Sequence, residues 1–355
     1  MSENSNGARK IRVGINGFGR IGRAFFKIAW DKPEIEIVAL NDLGDVNNMA
    51  YLLKHDTVYR TWPHDVSVDG SNIVVDGKKV QVVAEKDPNL LPWKDLDIDV
   101  VVESTGLFTA YDKASAHIKA GAKKVVISAP AKDLPAGEAG GDTAYPGETI
   151  LLGVNDNKFG TCDVTSNASC TTNAASPLIA ILHDSVGIEK AVLNTVHAYT
   201  ASQAIVDGPA KKDMREGRAA AQNIVPSSTG AAIAVTKAFP DLNNLFDGIS
   251  IRVPVPAGSI VDVTFIAKRD TTAEEINKIL TDAANTDHWK KIFAVTNEPL
   301  VSSDILGESH ASIADLAMTR VVGGNLVKVL AWYDNEMGYT HTLIDHVINV
   351  GNTIK

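Results

Sequence analysis

The chain has 355 residues, 45% hydrophobic and 22% charged, which excludes a disordered or collagen-like polypeptide and leaves room for two or three domains. Lys and Arg number 34 against 43 Asp and Glu, so the net charge of −9 disfavours nucleic acid and anionic membrane as partners. No apolar run approaches the ~18 to 20 residues that span a bilayer, and the polar start Met1–Gly7 lacks the apolar core of a secretion signal. The expected location is cytoplasmic. Only Cys162 and Cys170 are present, which excludes a disulfide framework and a paired-cysteine zinc site, and no metal is expected.

Strand-like and helix-like runs alternate through the first half. Residues 10–15 read as a strand ending in a glycine-rich turn, 21–30 as a helix stopped near Pro33, 35–40 as a strand and 47–54 as a helix. Short strands are expected at 66–68, 73–75 and 79–84, separated by Asp69-Gly70 and Asp76-Gly77 turns. A buried strand at 98–102, a helix at 111–120 closed by Gly121, and a strand at 125–127 follow. This order predicts a Rossmann-type doubly wound α/β domain. The glycine-rich stretch 136–147 reads as a surface loop of no assigned function. Beyond residue 165 the pattern changes to a helix at 172–185, strands near 193–197, 248–255, 260–268 and 326–333, and a last helix around 345–350. A second, α+β domain with a mixed or antiparallel sheet is expected there. The boundaries are drawn at 1–169 for the first domain, rejoined by the C-terminal helix 336–355, and at 170–335 for the second.

Gly17-Phe-Gly-Arg-Ile-Gly22 is a G-x-G-x-x-G turn between a strand and a helix. Gly17 suits the tight turn, Gly19 lets backbone approach a pyrophosphate at the positive helix end, and Gly22 permits close packing. Asp42 closes the next strand 25 residues after Gly17, near the ~20 of the dinucleotide fingerprint. Its carboxylate suits ribose hydroxyls and repels a 2′-phosphate, which favours NAD over NADP. The competing role for Asp42 is a cap on the turn that follows it.

Cys170 sits where the small polar run 166–173 passes into a helix. A helix N-terminus favours thiolate, and its N–H groups suit an oxyanion. The alternative is a buried, inert thiol, the reading kept for Cys162. Among nine histidines, His197 ends a strand-like run that would aim it out of a sheet edge, and it is the better base by pattern. His117, His183, His288 and His346 fall on helical stretches, where a surface or packing role is expected. Ser169 and Thr171 flank the cysteine, 227–231 opens an apparently helical run, and Arg252 lies in a strand-like segment. Singly these read as caps and an ion pair. Together with a dinucleotide turn and a nucleophilic cysteine, they point to a phosphorylated aldehyde.

These residues closely resemble phosphorylating glyceraldehyde-3-phosphate dehydrogenase. The likeness runs from about Ile11 to the last helix through Gly14–Arg23, Val102–Gly106, Ile127–Pro130, Ser166–Asn173, Thr195–His197, Pro226–Ala232, Arg252–Pro254 and Trp332–Glu336. It implies Cys170 as nucleophile and His197 as base and later acid. It implies NAD contacts from Arg20, Ile21, Asp42, Ser128 and Asn335, beside the turn glycines and Lys86. Substrate contacts are implied for Ser169, Cys170, Thr171, Thr200, Thr229, Gly230 and Arg252, and for Arg215 or Arg218 on phosphate. The implied partners are glyceraldehyde 3-phosphate, inorganic phosphate and three further copies of the chain, with 199–222 resembling the loop that packs between subunits. Erythrose-4-phosphate dehydrogenase shares the scaffold, as would a non-catalytic dinucleotide or redox sensor.

Three departures from the family pattern stand out, one being the loop 136–147, which is longer than expected. Lys86 replaces an arginine common near the adenosine and lacks its planar fork. Ala174 stands where many relatives carry a second cysteine.

Overall fold

The computed structural model describes residues 9–132, 145–210 and 213–354. The chain forms two compact units. The first gathers residues up to Ile150, Asn157–Asn167 and the stretch from Leu343; the second holds Leu151–Asp156 and Ala168–Thr342. Most of loop 136–147 lies outside the described residues, as do Lys211 and Lys212.

In the first unit, strand Ile11–Asn16 pairs in parallel with Ile35–Asn41 on one side and Val100–Glu103 on the other. Lys124–Ile127, Val164–Ser166 and Gly147–Thr149 extend the parallel sheet beyond Val100–Glu103. Lys78–Val83 continues it beyond Ile35–Asn41. Val100, Val101, Val102, Val125, Val126 and Ile127 are fully buried, as a strand covered on both faces requires. Helix Arg20–Trp30 buries Phe25, Phe26 and Ala29. The parallel expectation fails at one edge. Strands Val66–Asp69, Asn72–Val75 and Lys78–Val83 form an antiparallel meander, because the two Asp-Gly turns reverse the chain directly with no crossover helix.

Two further expectations are corrected. The helix expected over 111–120 is two short pieces, Tyr111–Ala114 and Ala116–Lys119. At the break, Ser115 Oγ donates to the Asp112 carbonyl at 2.6 Å, competing with the helical ladder. Ser227 and Ser228 end strand Val225–Ser228 rather than opening a helix, which starts at Ala231. The last helix spans Met337–Gly351, within the 336–355 drawn for it.

The second unit is built on a mixed sheet. Ile188–Ala198 lies inside it, parallel to Phe246–Val253 and antiparallel to Ser259–Ala267. Leu326–Tyr333 follows Ser259–Ala267, then Ser312–Asp315 and Phe293–Thr296, while Val225–Ser228 borders Phe246–Val253. Alternate side chains of Ser259–Ala267 are buried, the period of a sheet with one covered face. Val261, Val263, Phe265, Val327 and Val329 meet Leu178, Ile179 and Leu182 of helix Cys170–Ser185 and Ile276 and Leu280 of helix Ala273–Ala284. The core thus anchors the helix that starts at Cys170 against the strand that ends beside His197.

Candidate active site

The first unit carries a cavity of about 510 Å³ lined by Gly17, Gly19, Asp42, Lys86, Ser104 and Phe108, among others. Its floor is the glycine turn. Gly17 has φ +94°, and a Cβ there would lie 2.7 Å from the Thr105 nitrogen. A Cβ on Gly22 would overlap the Gly17 carbonyl at 2.1 Å, whereas one on Gly19 meets nothing within 4 Å and would project into open space. Gly19 is also the N-cap of helix Arg20–Trp30, with no side chain capping that end. The turn therefore leaves a helix N-terminus open towards a phosphate-sized anion.

Asp42 takes the capping role read from its sequence position and stands at the cavity wall. Its Oδ1 accepts from Gly44 N at 2.9 Å, capping the turn, and its Oδ2 accepts from Phe18 N at 2.7 Å, which fixes the carboxylate at the cavity wall. Lys86 is exposed at the rim. The Arg20 guanidinium pairs with Asp56 at 2.6 Å and lies 5.7 Å from the Tyr59 ring centre. Ser128 N donates to the Glu103 carbonyl just past strand Lys124–Ile127. The residues present fit a dinucleotide: an open glycine turn, an oriented carboxylate and a cavity of sufficient size.

Beneath the turn runs a buried polar chain that the sequence does not signal. Trp93 Nε1 donates to His117 Nδ1 at 3.0 Å. Because indole only donates, Nδ1 bears the lone pair and Nε2 carries the proton towards Glu103 Oε2, 3.1 Å away. Glu103 also accepts from Asn16 Nδ2, and Asn16 Oδ1 accepts from Asn41 Nδ2. His117 is thus a core histidine that braces the residue before Gly17.

In the second unit, Cys170 is the first residue of helix Cys170–Ser185, with Ser169 as N-cap accepting from Thr172 N at 3.0 Å. Its Sγ lies 3.4 Å from His197 Nε2. The expectation of a helix-stabilised thiolate is reversed in direction. Burial pushes the Cys170 thiol up, and the opposing pull of the Arg252 guanidinium and of hydrogen bonds from Thr171 and the Cys170 N–H does not overcome it. His197 is 3% exposed inside the sheet rather than at its edge, since strands flank it on both sides. Burial, with Arg252 beside it, lowers its pKa to about 3. Both shifts favour a thiol and a neutral imidazole in this pair. Arg252 Nη1 stands 2.6 Å from His197 Nδ1, and among the described residues no carboxylate pairs with this guanidinium.

The other expected contacts are placed unevenly. Thr171 is buried, with its hydroxyl on Tyr333. Thr200 Oγ1 lies 3.1 Å from Ser202 Oγ, and Thr229 Oγ1 accepts from Ala231 N at 3.2 Å beside Gly230. Asn335 Oδ1 accepts from Gly258 N and Ser259 Oγ, leaving its amide NH2 as the remaining polar group. Neither candidate phosphate arginine is held ready. Arg215 lies flat against Asp213 at 2.7 Å and Arg218 pairs with Asp207 at 2.9 Å, both largely exposed. Between them Glu216 accepts from the buried Ser227 hydroxyl at 3.0 Å. The acidic neighbours were the available signal: Asp213 lies 2 residues before Arg215, and Asp207 lies 11 before Arg218.

Comparison with known proteins agrees with these two constellations. The family model described as glyceraldehyde 3-phosphate dehydrogenase, NAD binding domain, matches residues 11–111, and that of the C-terminal domain matches 169–335. Glyceraldehyde-3-phosphate dehydrogenase 1 of Bacillus subtilis (strain 168) is 47% identical over 337 residues, covering 94% of this chain and 96% of the relative. Glyceraldehyde-3-phosphate dehydrogenase of Geobacillus stearothermophilus is 46% identical with the same coverage. Glyceraldehyde-3-phosphate dehydrogenase B of Aspergillus oryzae is 45% identical over 344 residues, 96% of this chain and 99% of the relative. With likeness of this extent over both units, the chain belongs to the glyceraldehyde-3-phosphate dehydrogenase family.

Proposed function

We propose that this chain is the NAD-dependent, phosphorylating glyceraldehyde-3-phosphate dehydrogenase of glycolysis, an oxidoreductase that makes 1,3-bisphosphoglycerate and NADH. The observation that carries the reading is the 3.4 Å approach of Cys170 Sγ to His197 Nε2, beside an arginine that no described carboxylate neutralises. The first unit serves as the NAD-binding domain and the second as the catalytic domain.

Cys170 passes its thiol proton to His197 Nε2, and the sulfur bonds to the aldehyde carbon, giving a hemithioacetal. His197 returns that proton to the aldehyde oxygen, making the hydroxyl, and takes it up again while the carbon is oxidised to a Cys170 thioester. NAD, when bound, supplies the hydride acceptor. The Cys170 N–H and the His197 ring stabilise the oxyanion. Phosphate oxygen attacks the thioester carbon, and Cys170 leaves as thiolate. Arg252 is the cation available to the substrate phosphate, with Thr229, Gly230 and Thr200 as polar company. Arg215 and Arg218 reach phosphate only by leaving their aspartates. Asp42 and Gly19 hold the nucleotide, with Asn335 and Ser128 as further contacts.

Assembly as a homotetramer belongs to the same reading. Ile205, Val206 and Met214 on the 199–222 segment are 88%, 73% and 88% exposed, an apolar surface suited to a second copy. Cytoplasmic location accords with it; no described helix is long and apolar enough to cross a membrane.

Following NADH formation from glyceraldehyde 3-phosphate tests the proposal. Turnover should require phosphate, exceed that on erythrose 4-phosphate, and vanish in Cys170→Ser with nucleotide binding retained. Turnover that survives Cys170→Ser overturns it.

A further inference from the structure

Three adjacent strands of the first unit end in polar side chains at one level of the sheet. Asn16 is paired in register with Asn41 on one side and with Glu103 on the other. All three are buried, and each directly precedes a residue that lines the nucleotide cavity: Gly17, Asp42 and Ser104. At the carboxyl ends of parallel strands, this level underlies the ligand.

The hydrogen bonds along it have a direction set from both ends. At one end Glu85 N donates to Asn41 Oδ1 at 2.8 Å. A backbone N–H only donates, so Asn41 turns its Nδ2 to Asn16 Oδ1, and Asn16 turns its own Nδ2 to Glu103 Oε2. At the other end the Trp93 indole donates to His117 Nδ1, so His117 Nε2 donates to the same Oε2. The Asn16 and His117 nitrogens converge on that oxygen 3.4 Å apart. Thr105 donates to Oε1 from both its backbone N and its hydroxyl. Four donors therefore meet one buried carboxylate, which suits a group that only accepts.

Glu103 thus ties the floor of the cavity to its wall. Asn16 leads into the Gly17 turn. Thr105 lines the cavity and accepts from Leu107 N at 3.0 Å, ahead of Phe108, another lining residue. Clearance between the two is small: a Cβ on Gly17 would lie 2.7 Å from Thr105 N and 2.8 Å from the Ser104 carbonyl carbon. His117 itself is fully buried, and its ring meets the Phe108 ring edge-on with centroids 6.4 Å apart.

We propose that His117 is a positioning residue for the dinucleotide: its Nε2–H completes the donor set that fixes Glu103, and Glu103 sets the spacing between the Gly17 turn and the Thr105 wall on which NAD affinity depends. This rests on the reading of the cavity as the NAD site. The role requires an acceptor facing Trp93 and a donor facing Glu103. A glutamine side chain carries one of each, and leucine carries neither.

Calorimetric titration of the full chain with NAD, beside urea unfolding and steady-state kinetics, tests the role. His117→Leu should raise the NAD dissociation constant and the KM for NAD about tenfold, with kcat at saturating NAD and the rate of Cys170 alkylation by iodoacetamide unchanged. His117→Gln should restore most of the lost affinity. Glu103→Gln keeps the volume but sets an NH2 group against donors, and it should weaken binding at least as much as His117→Leu. Should the leucine variant not fold, Glu103→Gln decides, since the effect runs through that carboxylate. A merely structural histidine would lower the urea midpoint and leave the dissociation constant of the folded protein at its parental value. That result, or His117→Gln binding as weakly as His117→Leu, overturns the proposal. A parent that does not bind NAD overturns the reading of the cavity and the role with it. A parent that binds NAD, beside Glu103→Gln and His117→Leu that bind equally tightly, rejects the role alone.

Discussion

The hydroxyl of Tyr333 stands 2.8 Å from that of Thr195, two residues before His197. The same oxygen lies 2.9 Å from Thr171, the residue after Cys170. Since Thr195 Oγ1 donates to the Ile260 carbonyl at 3.1 Å, it accepts from Tyr333, which accepts in turn from Thr171. One buried phenol therefore ties the helix of the nucleophile to the strand of the base, as a positioning residue. Tyr333→Phe should lower stability by about 1 kcal/mol and lower kcat with little change in KM. Lost stability with kcat unchanged, measured by urea titration and steady-state kinetics, would reduce Tyr333 to a packing residue.

Cofactor choice turns on Asp42. Its carboxylate is fixed at the cavity wall by Phe18 N and Gly44 N, where a 2′-phosphate would meet a like charge. The enzyme should prefer NAD strongly, and Asp42→Ser should narrow the gap by raising the NAD dissociation constant more than that of NADP. Titration of both nucleotides measures this, and equal affinity in the parent contradicts it.

Acid sensitivity has an identifiable source in the first unit. His346 is fully buried, its Nδ1 donating to Asn167 Oδ1 at 3.1 Å and its Nε2 2.8 Å from Thr165 Oγ1. Burial lowers its pKa to about 3 against 6.5 for the free side chain. Above 6.5 neither the folded nor the unfolded form binds a proton there, so stability is unaffected. Below 6.5 only the unfolded form binds one, and stability falls as pH drops towards the folded value. The slope approaches about 1.4 kcal/mol per pH unit for one such group. His346→Gln should be less stable at pH 7.5 yet lose less stability between 6.5 and 5. Parallel urea-midpoint profiles for the two proteins would contradict this.

Association should depend on the apolar tip of the 199–222 segment. Ile205 and Met214 are both exposed in the single chain. Light scattering at micromolar protein should give about four chains, and Ile205→Asp with Met214→Asp should shift the population to smaller species. A mass that does not change in the double variant excludes this surface from the interface.

Much of the first unit was legible because its signals are local. A β-strand, three glycines and an acidic residue at the right spacing need only backbone geometry to mean what they mean, and Gly17, Gly19, Gly22 and Asp42 occupy the positions assigned to them. The Asp-Gly pairs likewise marked both turns of the antiparallel edge, although the reversal of strand direction there was not read from them. Cys170 and His197 were legible as candidates, one by its polar run at a helix start and the other by its place at a strand end.

What the sequence alone determined is therefore the kind of chemistry and the residues able to perform it. Tertiary structure decided their state, because charge and proton position depend on neighbours distant along the chain. Arg252 lies 55 residues from His197 yet shares its ring nitrogen. Tyr333 is 162 residues from Thr171 and sets its helix against the base. Packing around Cys170 outweighs the helix end that favoured a thiolate. Arg215 and Arg218 were indistinguishable as phosphate ligands in the sequence, and folding pairs each with an aspartate of its own loop. Desolvation and hydrogen-bond competition act through space, and only the folded chain specifies which groups compete.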